Sequence, residues 1–152
     1  MSKPKWKAQP GQTDFTIIRW APVINCVVRY KGRILVVQRN KTLNFYPGYW
    51  NGISGFLDDS KSLREKVEEE MREELGLSKK AIKRVTLGRI FDQEASKYKK
   101  TWIVHPVLVE VTTDAVKLDW EAQAFQWLTP KTARKLKLLP GFEDVLKALA
   151  LI

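Results

Sequence analysis

The segment from residue 55 to residue 77, GFLDDSKSLREKVEEEMREELGL, constrains the fold more than any other part of the chain. It begins with a glycine, contains eight of the 17 acidic residues, and ends in Gly-Leu. Ser60 is expected to cap a helix over residues 61–75, and Gly76 lies where helices commonly end in a left-handed residue. We therefore expect one long acidic helix in a chain whose formal net charge is +10.

Helical geometry sorts the glutamates of this segment. At about 100° per residue, Glu70, Glu73 and Glu74 share an arc about 100° wide. An apolar stripe beside that arc should hold the helix against a sheet; it consists of Val67, Met71 and Leu75. Carboxylates crowded beside buried surface repel one another, and a hard divalent cation such as Mg²⁺ or Mn²⁺ would relieve the repulsion. The alternative is a solvated helix with ion pairs, for example between Lys66 and Glu70.

The rest of the chain predicts a mixed sheet with helices on both faces. The runs INCVVRY and RILVVQR are joined by Lys-Gly and indicate a hairpin with Gly32 in its turn. Further strands are expected near residues 50–54, 84–93, 101–111 and 124–128. The third of these could be bulged at Pro106. Thr129 should cap a short helix that has Pro130 at its first position, and the chain should end in an amphipathic helix.

Composition limits the class of protein and its partners. A length of 152 residues favours one domain, and we place it at residues 14–152 after a flexible basic segment, residues 1–13. No apolar stretch approaches the ~20 residues that cross a bilayer. The single cysteine, Cys26, excludes an intrachain disulfide and favours the cytoplasm. The positive charge favours phosphates, nucleotides or RNA as partners, with a lysine-rich solubilising surface as the alternative.

The segment 55–77 resembles the signature of the Nudix hydrolase family, G-x5-E-x7-R-E-U-x-E-E-x-G-U, in which U is a bulky aliphatic residue. Gly55 matches the first glycine. The second half matches in register at Glu70, Met71, Glu73, Glu74, Gly76 and Leu77. Lys61 and Glu69 depart from the pattern, because the family has Glu and Arg there. Both departures reverse the charge, in opposite senses, so we hypothesise that the two residues keep an electrostatic relation with its polarity reversed. Direct contact requires the helix to begin after Lys61.

The resemblance implies an α/β/α sandwich with the acidic helix on one side of a mixed sheet and a C-terminal helix. It also implies hydrolysis of a diphosphate bond in a nucleoside diphosphate-linked or related substrate, with Mg²⁺ or Mn²⁺ as cofactor. The implied metal ligands are Glu70, Glu73, Glu74 and the backbone carbonyl of Ser54. Glu73 and Glu74 would also be catalytic.

Other site residues follow from the same resemblance or from charge. Glu121 is the favoured further carboxylate, as ligand or general base. Asp119 and Glu94 are the competing candidates. Since Glu69 replaces the arginine that orients the neighbouring glutamate in the family, Lys66 is expected to take over that orientation; otherwise activity is weak or lost.

Basic and aromatic side chains outside the segment are candidates for substrate contacts. Those expected to bind phosphate are Arg39, Lys100 and, as a further candidate, Lys41. Those expected to stack on a base are Tyr49, Trp50 and, as a further candidate, Tyr46. Each has a structural alternative: surface charge for the cations and a core anchor for Trp50.

Three other functions share this resemblance. One is a module with the same fold that has lost catalysis and binds nucleotide or RNA. Another is an RNA 5′-end pyrophosphohydrolase, which the positive charge allows. An isoprenoid-diphosphate isomerase is disfavoured, because that chemistry uses several histidines and the chain has one. The chain could be a monomer or a homodimer.

Overall fold

A computed structural model describes residues 7–152, so residues 1–6 of the predicted N-terminal segment lie outside the described residues. The strands are β1 (Trp20–Tyr30), β2 (Arg33–Arg39), β3 (Trp50–Asn51), β4 (Ile53–Phe56), β5 (Ile82–Leu87), β6 (Phe91–Ala95), β7 (Lys100–Val111) and β8 (Ala122–Leu128). The α-helices are α1 (Leu63–Leu75), α2 (Pro130–Ala133) and α3 (Phe142–Ala148). In this part of the chain we find no helix with the length and apolar character needed to span a membrane.

The eight strands form one mixed sheet with β1 and β7 as a parallel central pair. Each central strand changes its outer partner along its length. β1 pairs with β4 over residues 23–26 and with β2 over residues 29–30. β7 pairs with β6 over residues 100–104 and with β5 over residues 107–111. The sheet therefore splits on both sides of the pair, and the strands that diverge leave room for a cleft.

Successive residues of the central strands point into two apolar layers on opposite faces of the sheet, as the strand period of two requires. Ile24, Cys26 and Val28 pack in the layer that contains the buried stripe of α1. Val27 packs in the layer that contains α3. The α/β/α sandwich is thus confirmed, with α1 on one face of the mixed sheet and the C-terminal helix on the other.

Local predictions hold where short-range geometry decides them. Lys31 and Gly32 have φ of 47° and 76°, the left-handed values that a two-residue hairpin turn requires. Gly76 ends α1 in the left-handed conformation with φ of 65°. Thr129 caps α2 with its side chain, and Pro130 lies at the first helical turn.

Three predicted boundaries were wrong. α1 begins two residues later than expected, since Ser62 rather than Ser60 is its cap. The run 84–93 is two strands with Gly88 between them, and the Gly88 N–H donates to the carbonyl of Pro106. Pro106 keeps its register with β1 and lies where β7 changes partner, so the missing N–H interrupts no ladder there. The run 50–54 is likewise divided, by Gly52.

Candidate active site

The first glycine of the acidic segment lies against the acidic helix. A Cβ on Gly55 would be only 2.5 Å from Oε1 of Glu70. A larger residue at position 55 would therefore displace either the Glu70 carboxylate or the strand. This close approach places the backbone of β4, including Ser54, at the edge of α1. Ser54 and Glu70 line the same cleft.

A group of carboxylates meets at this end of the cleft, and burial perturbs all of them. Burial raises the pKa of Glu70 and, more strongly, that of Glu74, where the neighbouring Glu70 acts in the same direction. Burial and the charge of Asp119 raise the pKa of Glu121 to about 7. Oε2 of Glu74 is buried without a hydrogen-bond partner. The members of this acidic cluster, Glu70, Glu74, Glu121 and Asp119, oppose one another's ionisation.

Glu121 reaches the cluster from a segment of the chain outside α1. It lies directly before β8, and its backbone N–H donates to Oδ1 of Asp119 at 3.0 Å. Glu94, the competing candidate, has both carboxylate oxygens occupied, by Arg19 at 2.7 Å and by Thr101 at 2.5 Å. Of these two residues, only Glu121 lines the cleft.

The acidic cluster has the donor chemistry for a hard divalent cation. It offers carboxylate oxygens, one of them buried and unpaired, beside a closely approaching backbone. Glu73 lines the same cleft but is exposed. No three acidic, histidine or cysteine side chains within residues 7–152 already converge as a ligand set. The residues that fit a cation are thus Glu70 and Glu74, with Glu121 and Glu73 beside them.

The two residues that depart from the family pattern touch each other. Nζ of Lys61 lies 2.5 Å from Oε2 of Glu69. The contact exists because α1 begins at Leu63, which leaves Lys61 in the preceding loop and free to fold back. The hypothesis of a reversed pair is confirmed as a contact.

Lys66 occupies the centre of an ion network behind this pair. It is only 3% exposed, and its Nζ lies 3.1 Å from Asp59, 3.3 Å from Asp58 and 3.7 Å from Glu69. It counters the effect of burial on the pKa of Glu70 through its charge. Lys66 therefore supplies positive charge beside the glutamates, three residues before Glu69, which stands where the family has arginine.

Arg39 is the predicted phosphate ligand that the fold brings to the cleft. Its Nε donates to the carbonyl of Phe45 at 3.0 Å, which leaves the other guanidinium nitrogens available. Burial lowers the pKa of Arg39, and Glu121 and Glu74 act against that shift. The guanidinium of Arg39 thus lies at the border of the acidic cluster.

Lys100 is not a phosphate ligand in this structure. It is 1% exposed, and its ammonium donates to the backbone carbonyls of Phe15 and Ile18. The side chain therefore binds the N-terminal segment to the start of β7. Nothing in the sequence around Lys100 signalled this role, because its partners are more than 80 residues away.

Tyr49 and Trp50 lie outside the residues that line the cleft. Tyr49 has the ammonium of Lys137 4.3 Å from its ring centroid. Trp50 packs against the apolar layer of α3 and exchanges backbone hydrogen bonds with residues 137 and 139. The core-anchor alternative for Trp50 is confirmed.

Other aromatic residues line the cleft, and the sequence analysis missed most of them. The cleft has a volume of about 1100 Å³ and extends from the acidic cluster to a group of aromatic side chains. These are Phe15, Phe45, Tyr46, Phe56 and Trp102. Phe56 and Trp102 occupy alternating strand positions, which was the available signal, whereas Phe15 and Phe45 come from loops that carry no such pattern.

Comparisons with known proteins agree with the fold. The family model described as the NUDIX domain matches residues 19–149. A search of curated proteins by sequence finds no significant match.

Solved structures of the same fold come from several organisms. A MutT NUDIX hydrolase from Burkholderia pseudomallei is similar at a TM-score of 0.70 and 19% identity, covering 86% of this chain and 98% of its own. A C. elegans Ap4A hydrolase in a binary complex has a TM-score of 0.66 and 19% identity, covering 86% and 95%. The NUDIX domain of Shewanella oneidensis NrtR, solved with ADP ribose, has a TM-score of 0.71 and 11% identity, covering 93% of both chains.

These structural likenesses show the fold, and the family match shows membership over most of the chain. Together they support an enzyme of the pyrophosphohydrolase class. The chain therefore belongs to the NUDIX domain family.

Proposed function

We propose that the protein hydrolyses a diphosphate bond in a nucleotide-type substrate, with Mg²⁺ or Mn²⁺ held at the acidic cluster. The observation that carries this proposal is the buried, unpaired Oε2 of Glu74 among carboxyls whose pKa values are raised. A buried carboxylate oxygen without a partner destabilises the folded state unless a proton or a cation binds to it. A small anhydride substrate, a cytoplasmic location and a monomeric or homodimeric state are part of the proposal.

Each residue has a role that follows from its place. Glu70 and Glu74 would hold the cation, with Glu73 and the carbonyl of Ser54 as further ligands. When bound, the cation neutralises charge on the phosphoryl oxygens and orients the attacking water. Arg39 would bind a phosphate next to this centre, because its guanidinium borders the acidic cluster.

Glu121 is proposed as the general base. A pKa of about 7 leaves it able to accept a proton near neutral pH, which is where a base is most effective. Its position beside Glu74, on a segment outside α1, would let it act on a water that the helix glutamates do not themselves deprotonate. Asp119 raises its basicity through like charge.

Support for the substrate class comes from the relatives. One similar structure is an Ap4A hydrolase and another holds ADP ribose, so nucleotide-linked diphosphates recur among proteins of this fold. The volume of the cleft, about 1100 Å³, accommodates a substrate of that size. RNA carrying a 5′-triphosphate is a second substrate to test, because the net charge is +10.

The test is turnover of a substrate panel by the wild type and the Glu74→Gln variant. The panel holds nucleoside triphosphates, dinucleoside polyphosphates, nucleotide sugars and 5′-triphosphorylated RNA, each with Mg²⁺ or Mn²⁺. We expect Glu74→Gln to lower kcat by about 100-fold or more, since a charged ligand is lost. The matched control is Glu68→Gln on the same helix, whose carboxylate pairs with Arg64 outside the cleft and whose loss should leave kcat within about twofold.

The competing function is a binding module without catalysis. Glu69 favours it, since a negative charge stands where the family has arginine. Nucleotide binding without turnover of any panel member would establish this module and reject the enzyme. Wild-type turnover in Glu74→Gln would reject the assigned role of the acidic cluster.

A further inference from the structure

We propose that Asn40 is a positioning residue that fixes Glu121 in the cleft. The inference rests on the proposed function, in which Glu121 is the general base. Asn40 lies outside the residues that line the cleft, whereas Arg39 directly before it and Glu121 both line it. Asn40 therefore acts through its neighbours and not on the substrate.

The segment that carries Glu121 lies just beyond the end of a strand pair. The last pair between β2 and β8 joins Arg39 to Ala122, and a register shift next to it leaves Gln123 as an extra residue in β8. Such a bulge bends the strand and re-aims the side chains beside it. Because the regular ladder stops at Ala122, the direction of the Glu121 side chain depends on individual hydrogen bonds.

Asn40 supplies two of these hydrogen bonds. Its backbone N–H donates to the carbonyl of Glu121 at 2.8 Å, and its Nδ2 donates to the carbonyl of Trp120 at 3.0 Å. The N–H of Glu121 is held as well, by Oδ1 of Asp119 at 3.0 Å. Both backbone polar groups of Glu121 are therefore hydrogen-bonded, and the turn before β8 is fastened to the end of β2.

The side-chain amide of Asn40 uses both of its ends. Its Oδ1 accepts from the backbone N–H and from the hydroxyl of Thr42, both at 3.1 Å. A backbone N–H only donates and a carbonyl only accepts, so the donor end of the amide must face Trp120. Aspartate has no donor for that carbonyl, and serine is too short to reach it, although either can accept from Thr42. Asparagine thus closes its own turn and holds the segment of Glu121 at the same time.

Arg39 is held by other contacts, which separate its position from that of Glu121. Its backbone N–H donates to the carbonyl of Tyr49 at 2.8 Å, and its Nε donates to the carbonyl of Phe45 at 3.0 Å. Neither contact involves the side chain of Asn40. Loss of that side chain should therefore displace the base and leave the phosphate ligand in place.

The test replaces Asn40 by serine, which can still accept from Thr42 but loses the donor to Trp120. On the best substrate of the panel, kcat should fall about tenfold, because a general base that is displaced by about 1 Å loses much of its effect. KM should change by less than about twofold, since Arg39 stays in place. The matched control is Thr42→Val, which removes a hydroxyl from the same Asn40 side chain, keeps the donor to Trp120 and should leave kcat within about twofold.

A double-mutant cycle with Glu121→Gln separates positioning from a general structural role. If Asn40 acts through Glu121, Asn40→Ser should lower kcat no further once the base is gone, so the double variant should match Glu121→Gln. Losses that multiply would overturn the proposal. An unchanged kcat in Asn40→Ser, or an equal fall in Thr42→Val, would also overturn it.

Hydrogen exchange tests the same contacts without turnover. In Asn40→Ser, the backbone amides of residues 40 and 121 should exchange about tenfold faster than in the wild type, while those of β1 and β7 should not change. Thr42→Val should leave all of them unchanged. Asn40→Thr, which also keeps an acceptor and lacks the donor, repeats both measurements if the serine variant does not fold.

The exchange rates keep this inference separate from the proposed function. If the wild type hydrolyses no panel member, the proposed function fails, and faster exchange at residue 121 in Asn40→Ser still shows that Asn40 fixes Glu121. Equal exchange in Asn40→Ser and in the wild type would reject the positioning role, whether or not the protein is active.

Discussion

At the scale of single residues, this chain keeps the charge balance of its family signature with different side chains. Lys61 and Glu69 reverse the expected charges and pair at 2.5 Å. Lys66 adds a buried ammonium among three carboxylates. Removal of one member of such a buried ion network strongly destabilises the protein, because the charges of the remaining members are left uncompensated. We therefore propose that Lys66 positions the glutamates of α1.

Replacement of Lys66 by methionine should destabilise the protein. The free energy of unfolding, measured by urea titration, should fall by about 3 kcal/mol because Asp58, Asp59 and Glu69 lose a shared partner. With Mg²⁺, kcat should fall about tenfold while KM changes little, since the glutamates are displaced and the substrate contacts are not.

Two variants calibrate this experiment. Lys66→Arg should recover part of both losses, because it retains the charge. Lys79→Met removes an exposed cation that lies 3.9 Å from Glu68 and should change stability by less than about 1 kcal/mol. If Lys66→Met were as stable and as active as the wild type, the ion network would have no positioning role.

At the scale of elements, the start of α1 decides whether the charge-reversed pair can form. Ser62 accepts from the N–H of Glu65, and the Glu65 carboxylate accepts from the N–H of Ser62 at 3.0 Å. This capping box ends the loop at residue 62 and leaves Lys61 outside the helix, where it can reach Glu69. The cap thus serves both the stability of the helix and the arrangement of its charges.

The contribution of the Ser62 cap to stability can be measured by comparing the removal of Ser62 with the removal of the nearby Ser60. Ser62→Ala should lower the free energy of unfolding by about 1 kcal/mol, because an orphan N–H of the first turn loses its acceptor. Ser60→Ala should have almost no effect, since the Ser60 side chain makes no hydrogen bond within residues 7–152. Equal losses in the two variants under urea titration would contradict the observed helix start.

At the scale of the whole molecule, the fold crowds acidic groups from two elements into one cleft and so links stability to pH. The helix α1 carries Glu70 and Glu74, and the loop before β8 carries Glu121. Folding raises the pKa of each, so the native state binds more protons than the unfolded chain between about pH 4.5 and pH 7. Stability therefore falls as pH rises through this window.

Without divalent cations, the free energy of unfolding should fall between pH 4.5 and pH 8, with up to about 3 kcal/mol of the fall due to Glu121. Glu121→Gln should flatten this part of the profile, whereas Glu68→Gln should not. Mg²⁺ should restore stability at pH 8 in the wild type. The lowered pKa of Asp59 acts in a separate window, since its contribution is lost only below about pH 3.8. A wild-type profile that rises from pH 4.5 to pH 8 would contradict the crowding of these carboxyls.

How far the sequence could predict the site depended on how local each contact is. The order of the glutamates on α1, the buried stripe of Val67, Met71 and Leu75, and the left-handed Gly76 follow from helical geometry over a few residues. The start of α1 was missed, because two serines compete and only one has a glutamate three residues later. Lys100 was misread, because its exposed or buried state depends on a segment far away in the chain.

The sequence alone determined the family, the acidic helix and the alternation of strands, since repeats of 3.6 and two residues and a signature of 23 residues are properties of the linear chain. Tertiary structure decided which distant side chains meet. It brought Glu121 to Glu74 and laid Phe15 on Phe56. These outcomes depend on how the split sheet places loops next to one another, and no local periodicity records the distance between residues that are 40 or more positions apart in the chain.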